Sequence, residues 1–166
     1  MKGKVSELAA KMIDYSAGNL HDINHLMKVY GYARTIGVCE GLDDNTQMTL
    51  EVAALLHDIA CPLCREKYGN TNGVYQEQEG GPLAAEFLKD SGLDQAMIDR
   101  VVYLVSHHHT PSQVDGIDYQ ILLEADYLVN ADESHYTRAA IQAVGDGMFR
   151  TATGRALLKT MYQNAR

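Results

Sequence analysis

Apolar residues recur at steps of three and four almost throughout the chain, and strict apolar–polar alternation is missing, so the pattern predicts helices and no sheet. A modest helix is expected over 4–16. The next, over 20–38, carries Ile23, Leu26, Met27, Tyr30, Ala33 and Ile36 as a core stripe. Residues 41–44 read as a break, and Asn45 or Thr46 is suited to cap a helix over 46–58. The end of that helix is apolar almost all round (Val52, Ala53, Ala54, Leu55, Leu56), the mark of an element buried on several sides. Residues 61–74, with Cys-Pro-Leu-Cys and Tyr-Gly-Asn-Thr-Asn-Gly, read as irregular. Helices are expected again over 75–90, 94–108, 118–131, 133–144 and 151–164. Ser91-Gly92, Thr110-Pro111, Asp115-Gly116 and Gly145-Asp146-Gly147 supply the stops. With no repeat, low-complexity tract or linker, the expectation is one all-α domain over 1–166, a compact bundle of seven or eight helices.

Composition narrows the partners. A chain of 166 residues that is 46% hydrophobic can build a sizeable core, and three prolines leave long helices uninterrupted. A net charge of -8 argues against a nucleic-acid polymer or an anionic membrane surface as partner. A small anionic substrate remains compatible where a local cation or metal supplies positive charge. Met1–Leu20 lacks the apolar stretch of a secretory signal, and no apolar run is long enough to span a membrane. Three cysteines (Cys39, Cys61, Cys64) fit a reducing cytoplasm better than a disulfide framework. A cytoplasmic protein is expected.

Several polar residues interrupt helices that should be apolar. His57-Asp58 follows Leu50, Ala53 and Ala54 at helical steps, Asp126 lies inside Ile121–Val129, and His107-His108-His109 ends the stripe Ile98, Val101, Val102, Val105. A buried unpaired carboxylate costs several kcal/mol and protonates rather than stay charged. Lysine and arginine are scarce in these segments, so a divalent cation explains the aspartates better than ion pairs do. Imidazole with carboxylate suits iron, manganese, nickel or zinc. His25 shares a second face of its helix with His21, Lys28, Val29 and Tyr32, and Lys28 projects one turn along from it. A cation there suits a site that receives phosphate. Each piece alone has an ordinary explanation, as a satisfied core histidine, a cap or a solvated turn; the combination on four apolar helices does not.

The order His25, His57-Asp58, Asp126 resembles the H…HD…D signature of the HD-domain phosphohydrolase superfamily. The flanking segments His21–Val29, Ala53–Ile59 and Leu123–Leu128 are similar too, and the likeness covers about 20–131. It implies an all-α bundle and hydrolysis of a phosphomonoester or phosphodiester, often a nucleotide, by metal-activated water. His25, His57, Asp58 and Asp126 would bind a first divalent ion (Fe, Mn, Ni, Zn or Mg). In two-metal members Asp58 would bridge to a second ion, for which His107 or His108 is in the expected region; helical phase favours His108. Many two-metal relatives have a further histidine where this chain has Gln76–Ala85, so Glu77 or Glu79 would supply an oxygen ligand, or the second ion is weak or absent. Lys28 stands where relatives often have Arg, keeping the charge without the bidentate fork. Asp58 and Lys28 would serve the chemistry, with His107 or His108 donating a proton to the leaving oxygen if not a ligand.

Two other readings compete: a di-iron oxygenase on the same scaffold, left open by Glu77 or Glu79 replacing a histidine, and a sensor that holds a nucleotide without cleaving it. Cys61 and Cys64 form a lone CxxC, a weak redox or metal signal without a βαβ context. Glu51, Arg65, Glu66 and Lys67 read as surface charge, with Arg65 able to reach the pocket mouth. His135 reads as solvated. Partners expected are a small phosphate ester or nucleotide, with room for homo-oligomerisation.

Overall fold

The computed structural model describes residues 2–163, and within them every regular element is a helix. In chain order these are α1 (Lys2–Tyr15), α2 (Leu20–Cys39), α3 (Asp44–Leu56), α4 (Cys61–Tyr68), α5 (Gly73–Leu88), α6 (Gln95–Val105), α7 (Ile117–Glu133), α8 (Arg138–Met148) and α9 (Ala152–Leu158), with a 3-10 turn at Pro111–Gln113 and a π turn at Lys159–Gln163. The all-α bundle expected from periodicity is what the chain forms. No helix among the described residues is long and apolar enough to cross a membrane.

Helix α3 is the centre. Thr49 through Leu56 are all buried, enclosed by α1, α2, α6 and α7. Four large side chains there (Leu50, Val52, Leu55, Leu56) are shut from water, each worth about 1.5–3 kcal/mol of transfer free energy. Because its last turn is inside the core, the doublet that follows emerges from the interior.

Several boundaries differ from the sequence reading. Asp43, not Asn45 or Thr46, caps α3: its Oδ1 accepts from Asn45 N and Thr46 N, both at 3.0 Å. The segment expected to be irregular contains α4, which has Pro62 in its first turn, where a missing N–H costs nothing, and ends at Gly69 in the left-handed region (φ 70°). Helix α8 starts at Arg138 rather than 133, because α7 runs on to Glu133 and Thr137 is the cap, accepting from Ala140 N at 3.2 Å. The last expected helix, 151–164, is divided into α9 and the π turn, and its residue 164 lies outside the described residues. The buried face of α2 is Leu26, Val29, Ala33 and Ile36, with His25 at its edge; Ile23, Met27 and Tyr30 are half-buried.

Two contacts bring the helix ends together around α3. Gly80 and Gly81 let α5 lie against the end of α6, where added Cβ atoms would come within 2.9 Å of Val105 Cγ1 and 2.3 Å of Ser106 Oγ. Glu124 of α7, fully buried, pins the start of α9: its Oε1 accepts from Arg150 N (2.7 Å), Thr151 N (3.0 Å) and Gln120 Nε2 (2.7 Å), and its Oε2 from Thr151 Oγ1 (2.5 Å).

Candidate metal centre

His25 comes from the second turn of α2, His57 and Asp58 from the turn that closes α3, and Asp126 from the middle of α7. Their polar atoms converge. His25 Nε2 lies 3.1 Å from His57 Nε2, 3.3 Å from Asp58 Oδ2 and 3.3 Å from Asp126 Oδ1. His57 Nε2 lies 3.6 Å from Asp58 Oδ2 and 3.4 Å from Asp126 Oδ1. Four donors bonded to one ion at about 2.1 Å stand about 3.0–3.4 Å apart, so these separations match a shared cation.

The outer nitrogens of the rings decide what the inner ones offer. His57 Nδ1 donates to Ala54 O (2.8 Å), and His25 Nδ1 lies 2.7 Å from Glu133 Oε2, to which it donates. In the neutral rings both Nε2 atoms are therefore bare lone pairs, 3.1 Å apart and facing two carboxylates. That arrangement repels itself unless something positive sits in the middle. Without an ion, protons serve. Burial presses the His57 pKa down, but Asp58 and Asp126 outweigh it and carry it to about 9. Burial likewise opposes charge on Asp58, yet His57 and His108 hold its carboxyl below the ordinary range; Asp126, held by His25 and His57, goes the same way. The donor set fits a divalent cation.

His108 extends the cluster. Its Nδ1 donates to Val105 O (2.9 Å), and its buried Nε2 has no hydrogen-bond partner and lies 3.5 Å from Asp58 Oδ1. Asp58, His108 and His109 offer three ligand atoms within 4.8 Å of one another, room for a second ion sharing Asp58. The turn carrying these histidines is held from two sides. Glu77 accepts from His109 N (2.9 Å) and Thr110 Oγ1 (2.8 Å), and the Tyr119 hydroxyl bonds the carbonyls of His107 and Thr110.

Other candidates stand elsewhere. His107 turns away, its Nδ1 donating to Tyr103 O (2.7 Å) and its ring stacked on Tyr103. Glu77 is occupied with the turn just described, and Glu79 with Lys67 Nζ and Tyr68 Oη, both at 2.6 Å, so neither carboxylate joins the cluster. Lys28 Nζ is paired with Glu133 Oε1 at 3.1 Å instead of facing the pocket. Glu51, read as surface charge, is buried and bonded by Arg34 (2.6 Å) and Gln47 (2.9 Å).

Sequence reasoning gave no role to Glu133 or Asn130, and named His109 only within the His107–His109 triplet. The first two had a signal: Asn130 and Glu133 follow Asp126 by four and seven residues, one face of α7, and Asn130 Nδ2 donates to Asp126 Oδ1 at 2.9 Å. The cluster floors a pocket of about 200 Å³, whose wall includes His21, Asp22, Arg65, Gln76 and His109.

An all-helical bundle that aims two bare imidazoles and two aspartates from three elements at one point has the donor set of a histidine–aspartate domain that could hold a metal ion. The HD domain family model matches residues 22–136, and the chain belongs to that family. A solved structure described as a predicted HD superfamily hydrolase from an uncultured Thermotogales bacterium superposes with a TM-score of 0.67 at 24% identity, covering 98% of this chain and 85% of that one. At that identity the likeness speaks for the fold alone. No curated protein matches the chain.

Proposed function

We propose that this chain is a metal-dependent hydrolase of phosphate esters. His25, His57, Asp58 and Asp126 would hold one divalent ion, and Asp58, His108 and His109 a second. Such an ion supplies Lewis-acid charge for a phosphoryl oxygen and lowers the pKa of water into the neutral range. The observation that carries the reading is the convergence of bare ring nitrogens and carboxylate oxygens, 3.1–3.6 Å apart, at the floor of a pocket.

The residues around the cluster divide the remaining tasks. Glu133 holds the His25 ring with Nε2 inward, and the Ala54 carbonyl does the same for His57. Lys28 supports Glu133 rather than the substrate. His107 faces Tyr103 and His108 presents a bare nitrogen to Asp58, so protonation of the leaving oxygen falls to His21, the imidazole of the pocket wall that belongs to neither ion site. Glu77 and Glu79, whose place in the sequence left the oxygenase reading open, both stand away from the cluster, and the hydrolase reading is preferred. A purely binding role is disfavoured by a donor set that is complete. The three free thiols are consistent with a cytoplasmic setting.

Purified Asp58→Ala tests this. Loss of both metal content and phosphate release, with the helical circular dichroism kept, is expected; an Asp58→Ala protein that holds stoichiometric metal and still cleaves esters overturns the proposal.

A further inference from the structure

The pocket above the cluster has a composition and a size that narrow the substrate, granted the hydrolase reading. Its volume is about 200 Å³. A cavity of about 150 Å³ holds benzene, so this one suits a phosphate carrying a short chain and is well below what a nucleoside monophosphate fills. Most ligand sites are larger and predominantly apolar, at roughly 300–1,000 Å³. This wall contains no Phe, Tyr, Trp, Leu, Ile, Val or Met side chain among the described residues; Cys61 is its one residue of the hydrophobic class. A nucleobase would find no apolar slot on this wall and would have to lie outside the pocket.

Two wall residues have unused bonding capacity of complementary kinds. Arg65, in α4, pairs with Asp22 of α2 through its two terminal nitrogens, using two of about five N–H donors. Its side chain remains 41% exposed at the pocket mouth, which leaves a planar fork available to a phosphate dianion. Gln76, in α5, is only 6% exposed. Its Nε2 donates to Thr71 O at 2.8 Å, which fixes the amide orientation, and its Oε1 is buried without any partner. A buried acceptor left open in a pocket wall costs free energy until a donor arrives, and the donor a small phosphate ester brings is a hydroxyl.

The geometry points to a small, hydroxylated, non-nucleotide phosphomonoester as the substrate, with Arg65 binding the phosphate and Gln76 Oε1 accepting from a hydroxyl of the carbon chain. Anion recognition thus passes from Lys28, which Glu133 occupies, to Arg65 on the neighbouring helix.

Uncleavable phosphonates separate binding from turnover. With manganese-loaded protein, calorimetric titration of 3-hydroxypropylphosphonate, propylphosphonate and the 5′-phosphonate analogue of AMP is expected to rank affinities in that order, with the first at least about tenfold tighter than the last. Arg65→Ala should weaken 3-hydroxypropylphosphonate about 10–100-fold, and Arg65→Lys less. Gln76→Met should abolish the preference for the hydroxylated phosphonate over propylphosphonate while leaving propylphosphonate binding in place. Equal or tighter binding of the adenosine analogue, or unchanged affinities in both variants, overturns the inference. Failure of the underlying reading looks different: the protein would bind the phosphonates in the expected order yet release no phosphate from glycerol 1-phosphate or any other ester.

Discussion

Glu133 Oε2 stands 2.7 Å from Nδ1 of His25, across the seam between the end of α7 and the second turn of α2. The contact fixes the imidazole tautomer, aims Nε2 at Asp58 and Asp126, and joins the ring to Lys28 through the other carboxylate oxygen. A carboxylate behind a ligating histidine raises its basicity and holds its orientation. Glu133→Ala should therefore weaken manganese binding about 10–100-fold, and Glu133→Gln, which can still accept the hydrogen bond, should weaken it less. Competition titration against a fluorescent chelator reads this directly. An unchanged affinity in Glu133→Ala would reduce the contact to packing.

The second ion makes a prediction of stoichiometry. Equilibrium dialysis with manganese should give two ions per wild-type chain and one per His108→Ala chain, because Asp58 and His109 alone leave that position under-coordinated. His107→Ala should keep both, since its ring faces Tyr103. Two ions retained by His108→Ala would rule the shared-carboxylate site out.

Thiol reactivity separates the three cysteines. Burial raises the Cys61 pKa, with Asp58 adding to the effect, and burial raises that of Cys64 as well. The thiolate is the reactive form, so at neutral pH both contain less of it than an ordinary cysteine. Iodoacetamide at pH 7.5 should label exposed Cys39 first and reach Cys61 and Cys64 only on unfolding, as read by peptide mass spectrometry. Fast labelling of the native CxxC would revive its redox reading.

Glu124 provides a stability test independent of the site. Truncation to Ala strands the amide of buried Thr151 and frees that of Arg150 at its edge, at a cost of about 2–4 kcal/mol in urea unfolding. A loss below about 1 kcal/mol would mean that α9 is not anchored there.

The comparison of Glu124 with Asp126 shows where sequence reading succeeds and stops. Both are acids within the same apolar helix, and hydropathy treats them alike. Glu124 is satisfied by backbone amides brought from α9, whereas Asp126 meets two imidazoles from α2 and the α3 turn. Helix period was legible because it depends on neighbours three or four residues away, whereas the α3 cap, α4 and the start of α8 were misplaced. The partners of an interior carboxylate depend on tertiary approach, so Glu51 looked like surface charge and Lys28 looked free. Position along α7 still held usable information: Asn130 and Glu133 share the face of Asp126, a local regularity. His107 and His108 are adjacent in sequence, and only the turn pinned by Glu77 and Tyr119 determines which ring faces Asp58.

Anomalous diffraction at the manganese edge, from crystals grown with that ion, tests the central claim most directly. The account predicts a peak within bonding distance of His25 Nε2, His57 Nε2, Asp58 Oδ2 and Asp126 Oδ1 together. A map with no peak among these four atoms, while manganese is present in excess, would contradict it.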